Sequence, residues 1–434
     1  MPDTHRVSDL LVVGAGPAGL AAAYRAAQNG MQVTIVDDNP SAGGQIWRGE
    51  QTKPVGTAQL WFERIRNAKL EMIAGARVFQ QPGSGKLAAE TSAGVRELEY
   101  ANLLLAPGAR ERFLPFPGWT LPNVMGAGGL QALVKTGFPV EGKRVVVAGS
   151  GPLLLAVAAY LRGRGAKVIL IAEQASSLKL ARFGLGLLSQ RGRLSQAWSL
   201  RKDLSRTKPT TQSGRVKFLT GCWVVEARGK GQLESVTLVR GGKRWQIACD
   251  YLACGFHLVP NSELAELLGC VVEGDSVIVD EYQQTSVEKV YSAGEATGIG
   301  GLELALVEGE IAGLAVAGKH EAASRLFATR ARQRKFADRL QETFTLRDEL
   351  KSLATPETIV CRCEDVELGR LIGHSSWRAA KLQTRCGMGP CQGRVCGSAV
   401  EFLFGWRAES VRPPLLPVRI ESLLAQGVSE FDAK

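Results

Sequence analysis

Five cysteines, Cys361, Cys363, Cys386, Cys391 and Cys396, crowd into positions 361–396 of a 434-residue chain, the last three in the glycine-rich run RCGMGPCQGRVCG. Thiolates this close together on glycine-rich loops favour a soft metal centre. Zinc would call for two Cys-x2–4-Cys knuckles or a Cys/His mixture. Cys361-x-Cys363 is a poor knuckle, and the chain has only four histidines. An iron–sulfur cluster takes four thiolates, and glycines let backbone N–H groups approach its sulfurs. Iron–sulfur is the preferred reading, with a structural zinc or a vestigial site as the alternative. Cys222, Cys249, Cys254 and Cys270 stand singly in or beside apolar strands and are expected to be buried packing. Of His5, His257, His320 and His374, none announces a general base. His257, in the segment DYLACGFHLVPNSEL (250–264), is the one to watch.

The elements that must accompany such a centre begin near the N-terminus. In DLLVVGAGPAGLAAAYRAAQNGMQVTIVDDN an apolar strand (10–13) runs into Gly14-x-Gly16-x-x-Gly19. An alanine-rich helix follows, and a second strand (33–36) ends at Asp37. Glycines serve the tight turn, the approach of a pyrophosphate and helix–strand packing; the helix N-terminus attracts the phosphates, and the acid takes ribose hydroxyls. KRVVVAGSGPLLLAVAAYLRGRGAKVILIAEQ repeats the pattern with Gly149, Gly151 and Glu173, but Leu154 stands in the third glycine position. The acid at 173 disfavours NADP. This second unit could take NAD or ATP, or persist as a scaffold, which is the preferred reading.

Length and composition frame these motifs. A chain of this size is too long for one core, so two or three domains are expected. Hydrophobic residues at 45% and charged ones at 22% describe an ordinary globular protein. The net charge of +11 comes with no nucleic-acid-reading motif, so a solvated basic face that attracts anionic cofactors is expected. The N-terminus lacks the pattern of a signal peptide. No apolar run approaches the roughly 20 residues that span a bilayer. Odd, clustered cysteines suit a reducing compartment, and the expected location is cytoplasmic or peripheral to the inner membrane.

Three further stretches carry a family resemblance. PSAGGQIWR follows Asp37 with a Gly-Gly loop. YANLLLAPGARERFLPFPGW looks like a strand re-entering the first domain, with Pro107 where threonine is usual. TSVEKVYSAGEATGIGGLELALVEGEIAG looks like a late FAD motif, with Glu295 replacing the usual aspartate beside Gly294. Residues 8–318 thus resemble the two-dinucleotide-binding-domain flavoproteins. The resemblance implies an FAD site at Gly14, Gly16, Gly19, Asp37, Gly44, Gln45, Val78, Gly294 and Glu295, and a second nucleotide site at Gly149, Gly151 and Glu173. No Cys-x-x-Cys precedes residue 361, and the Cys-x4-Cys spacing of Cys249 and Cys254 falls in an apolar strand segment, where buried packing is expected rather than a redox motif.

The cysteine-rich tail resembles the small [2Fe–2S] domain related to bacterioferritin-associated ferredoxin. That resemblance implies Cys361, Cys363, Cys391 and Cys396 as ligands, with Cys386 a neighbour of the cluster. The implied fold is α/β: two Rossmann-like domains of the glutathione/thioredoxin-reductase type plus a small helical iron–sulfur domain. The expected boundaries are 1–135 and 255–318 for the FAD domain and 136–254 for the second nucleotide domain. A helical connector (319–355) and the cluster domain with its tail (356–434) complete the chain.

The combination is similar to the larger subunits of heteromeric amino- and imino-acid dehydrogenases and oxidases. That group includes D-hydroxyproline dehydrogenase, opine oxidase, hydrogen cyanide synthase and heterotetrameric sarcosine oxidase. It implies one subunit of an oxidoreductase that works with a D-amino-acid-oxidase-like beta subunit on CH–NH or CH–NH2 donors. Cofactors would be FAD, a [2Fe–2S] cluster and FMN at a subunit interface, with an external electron acceptor. The alternatives are a self-sufficient NADH-dependent reductase and a nucleotide-binding scaffold. The basic stretch 182–217 is a candidate partner surface or a solvated loop.

Overall fold

Strands covered on both faces need continuous rather than alternating apolar residues, and Leu10–Val13 is fully of this kind. It lies at the centre of a parallel five-stranded sheet ordered Val290–Ser292, Leu103–Leu105, Leu10–Val13, Val33–Asp37, Leu70–Ala74. The computed structural model describes residues 7–50, 54–186, 216–408 and 410–431. It forms two units, 1–110 with 259–337 and 409–434, and 111–258 with 338–408. Most of the basic stretch, residues 187–215, lies outside the described residues.

In the first unit the alanine-rich helix Pro17–Gln28 packs against Leu302–Val316 at backbone distance. A Cβ on Gly309 would lie 2.2 Å from the Ala18 carbonyl oxygen, and one on Gly313 equally close to that of Ala22. Small residues on both helices make that approach feasible. An antiparallel meander, Arg77–Gly83, Lys86–Thr91 and Gly94–Glu99, completes this unit's β structure around a second apolar cluster that includes Val36, Val78 and Leu415.

The second unit repeats the plan. Its parallel sheet runs Lys217–Thr220, Lys167–Glu173, Arg144–Ser150, Tyr251–Phe256, Val124–Gly126. A second meander, Cys222–Arg228, Ser235–Arg240 and Lys243–Ala248, shares a core with it. Residues 338–408 belong to the same unit: Leu346, Leu350, Leu353 and Phe402 pack on that core, and the Trp119 indole Nε1 donates to the Ile359 carbonyl at 2.6 Å. The cysteine-bearing part is a short hairpin, Ile359–Cys361 with Val366–Glu367, and the helices Trp377–Thr384 and Cys396–Phe404, which share one apolar cluster that includes Trp377.

Cys222, Cys249, Cys254 and Cys270 are all buried. Desolvation pushes the Cys222 thiol up to about 11 and that of Cys249 to about 12, so they serve as apolar packing. Among the described residues no helix is long and apolar enough to cross a membrane.

Candidate functional site

The first glycine loop is shaped by close backbone contacts. Gly14 turns at φ +109°, where a Cβ would sit 2.1 Å from the Ala106 carbonyl oxygen on the re-entering segment. A Cβ on Gly19 would be 1.9 Å from the Gly14 carbonyl oxygen. Around Gly16, by contrast, nothing among the described residues lies within 4 Å of that position, which leaves a face a pyrophosphate can approach. Asp37 closes the second strand: its carboxylate accepts the Ala15 N–H at 2.5 Å and the Asn39 N–H at 2.7 Å. Gly44 packs against Gly16, Gln45 is exposed beside it, and Val78 is buried in the meander.

The late motif brings Gly294 and Glu295 to the same sheet. Glu295 Oε1 accepts the Gly301 N–H at 2.7 Å, while Oε2 is buried with no partner among the described residues. Desolvation lifts this carboxyl to about 7. A shielded oxygen with a free valence suits a hydroxyl-bearing ligand. The open face at Gly16, the acid at Asp37 and the unpartnered Glu295 oxygen together fit FAD.

Sequence reading missed Glu308. It is 1% exposed, accepts the Gly294 N–H and the Thr297 hydroxyl at 3.0 Å each, and pairs with Arg334 at 2.9 Å. Glu308 is one of three glutamates in LELALVEGEIAG, with Glu303 and Glu310, and nothing in that local sequence marks it as the buried one.

The second loop shares the tight first turn but not the whole trace: Gly151 sits at φ +103° where Gly16 sits at −76°, and a Cβ on Gly151, like one on Gly16, would meet nothing within 4 Å among the described residues. A Cβ on Gly149 would lie 2.0 Å from the Gly255 carbonyl oxygen. Glu173 accepts the N–H groups of Gly151 and Ala175, each at 2.8 Å, and desolvation lifts it to about 7. Leu154 is buried against Gly255, filling the space a third glycine would leave for close helix–strand packing. Gly149, Ser150 and Gly151 are all buried, whereas Gly14 and Gly16 are only partly covered. His257 donates from Nε2 to the Phe344 carbonyl at 2.6 Å, and desolvation lowers its basicity, so its neutral form is favoured.

At the C-terminal module the sulfurs of Cys361, Cys386 and Cys396 lie within 4.8 Å of one another, all buried. Hydrogen bonds from Cys386 and then Cys396 hold Cys361 far below the usual thiol range. The Gly387 N–H also points to Cys361 Sγ, at 3.5 Å. Cys363 and Cys391 form a neighbouring pair at the surface edge, where desolvation and the Cys391 thiol raise Cys363. The structure therefore brings all five cysteines to one module and groups Cys386 with two of the expected ligands. The glycines have a steric reason: a Cβ on Gly387 would lie 2.7 Å from the Trp377 ring, and one on Gly389 2.3 Å from Cys363 Cβ. A cluster of thiolates with backbone N–H donors fits an iron–sulfur centre.

Comparison with known proteins places this geometry in context. A family profile described as pyridine nucleotide-disulphide oxidoreductase matches residues 8–317. Hydrogen cyanide synthase subunit HcnB of Pseudomonas aeruginosa is 32% identical over 426 residues, 89% of this chain and 90% of the relative. An opine oxidase subunit from Rhizobium meliloti is 29% identical over 457 residues, 95% of this chain and 97% of the relative. Among solved structures, L-proline dehydrogenase from P. horikoshii superposes with a TM-score of 0.66 at 17% identity, over 96% of this chain and 79% of that one. Thioredoxin reductase of T. acidophilum gives 0.55 at 21%, over 72% and 98%.

Proposed function

From membership of the pyridine nucleotide-disulphide oxidoreductase family, to which this chain belongs, we infer that it is the electron-transferring subunit of a heteromeric flavin-dependent amine or imino-acid dehydrogenase or oxidase. The observation that carries this reading is the gathering of five thiols in one small module joined to a flavoprotein fold. The relatives are named as subunits, one of hydrogen cyanide synthase and one of opine oxidase, which supports a partner chain. That partner would be a D-amino-acid-oxidase-like beta subunit holding the substrate, with FMN at the subunit interface and an external electron acceptor.

When bound, a flavin and an iron–sulfur cluster together convert a two-electron hydride into single electrons. Gly14, Gly16 and Gly19 would hold the FAD pyrophosphate, Asp37 its adenosine ribose and Glu295 a hydroxyl of its chain. Gly44, Gln45 and Val78 would border the cofactor. Cys361, Cys363, Cys391 and Cys396 would ligate the [2Fe–2S] cluster, Cys386 would neighbour it, and Trp377 supports the loop that carries these thiols.

A cofactor census tests this on the chain expressed alone and with a flavoprotein partner. Two irons and two acid-labile sulfides per chain, released FAD and no turnover of NADH are expected. Cys391→Ser should lose the iron and keep the flavin, while Cys386→Ser keeps both. Zinc in place of iron, or brisk NADH oxidation by the lone chain, would overturn the proposal.

A further inference from the structure

The second glycine loop has an occupant in the chain itself. In parallel α/β sheets ligands bind outside the carboxyl ends of the strands, where the strand order reverses. In the second unit that point lies at the ends of Arg144–Ser150, Lys167–Glu173 and Tyr251–Phe256. One polar side chain sits at each end: Ser150 closes the first strand, Gln174 follows the second, and His257 follows the third. All three point at a single backbone oxygen. The Phe344 carbonyl accepts from Ser150 Oγ at 2.9 Å, from Gln174 Nε2 at 3.3 Å and from His257 Nε2 at 2.6 Å. Gln174 Nε2 also reaches Ser150 Oγ at 2.8 Å and the Thr345 carbonyl at 3.2 Å.

We propose that this crevice is a socket for the chain's own backbone, filled by residues 344–345, so that the second Rossmann unit takes no nucleotide and instead anchors the segment leading into the cysteine module. Three donors on one carbonyl, with Gln174 at 0% exposure and Ser150 at 5%, form a built polar site. The plug is fixed by its flanks. Phe344 packs edge-on against Phe183 at 5.7 Å, Arg347 stacks on Trp223 at 4.7 Å, and Leu350 is buried in the unit's core. Opening the crevice would therefore require pulling apolar side chains out of that core.

The inference stands on the fold alone and does not depend on which metal or flavin the chain carries. Two experiments on the full-length, cofactor-loaded chain test it. The first titrates NADH, NAD and ATP in turn, by calorimetry, into wild type and Gly151→Ala. No saturable binding that depends on Gly151 is expected up to about 1 mM, the weak end of specific affinity. Any nucleotide whose affinity falls tenfold or more in Gly151→Ala overturns the proposal.

The second experiment reads the anchor directly. Trypsin cleavage after Arg347 and Lys351 is timed in wild type and in Ser150→Ala/His257→Leu, with retained flavin as the check on folding. Loss of even one typical hydrogen bond should open the segment about fivefold more often, with a matching gain in cleavage rate. Unchanged cleavage in a variant that keeps its flavin would refute the anchoring role.

Discussion

Replacing Glu295 by glutamine turns the unpartnered carboxylate into a measurable pH effect. Glu295 accepts the Gly301 N–H through Oε1 and holds Oε2 away from water, with no hydrogen-bond partner for it among the described residues. Desolvation is the main cause that lifts its pKa from 4.5 to about 7. The sign follows from proton binding. Between about 4.5 and 7 the folded chain holds a proton that the unfolded chain has released, so stability falls as pH rises through that window. At about 1.4 kcal/mol per pH unit, the span of the shift corresponds to at most about 3.5 kcal/mol.

Glu295→Gln removes that titration. Its amide leaves a buried donor without a partner, at a pH-independent cost of about 1–3 kcal/mol. Only the pH dependence is therefore diagnostic. In urea unfolding of the flavin-free chain, the variant's stability relative to wild type should climb from pH 4.5 to pH 7 and then level off. With FAD bound, a hydroxyl on Oε2 should shrink the climb. A difference that stays flat across the same range would refute both the raised pKa and the reading of Oε2 as a ligand-facing atom.

Three further outcomes are expected. Gly309→Val forces a side chain into the Ala18 carbonyl and should lower the urea midpoint by the equivalent of about 1–3 kcal/mol or more. Arg334→Ala strips Glu308 of its ion pair and should cost up to about 3–5 kcal/mol near pH 8. Because burial already raises Glu308 and Arg334 no longer opposes it in the variant, acidification should recover part of that loss, visible in paired unfolding curves. Trp377→Ala removes the surface on which Gly387 and Gly393 rest and should cost about 3–5 kcal/mol, read as a lower melting midpoint and faster iron loss to a chelator.

Much of this architecture was legible because the decisive constraints are local. Gly14, Gly16, Gly19 and Asp37 lie within one strand–helix–strand unit, where spacing alone implies the turn, and the structure has that turn. Burial of Cys222, Cys249, Cys254 and Cys270 followed from apolar neighbours in the chain. Contacts across long sequence separations were not legible. Nothing near residue 386 announces that its sulfur meets those of Cys361 and Cys396, since only the fold of the hairpin against the glycine loop brings them together. Glu308 was hidden for a similar reason: its partners are Gly294, Thr297 and an arginine 26 residues away.

The two glycine loops show why a motif cannot by itself assign a ligand. Both have a tight first turn, an acid at the end of the next strand and a helix aimed at the crevice. What differs is the groups at the neighbouring strand ends. In the first unit the strand Val290–Ser292 leads directly into Gly294 and Glu295, and Glu295 retains an unsatisfied carboxylate oxygen, which is demand for a hydroxyl donor. In the second, Ser150, Gln174 and His257 spend donors on Phe344 and Thr345, while the amide oxygen of Gln174 has no partner among the described residues. A buried polar group must find a partner, and a nucleotide phosphate needs donors. Tracing where the donors and acceptors around each loop are spent therefore separates a working cofactor site from a retained scaffold where the glycine pattern does not.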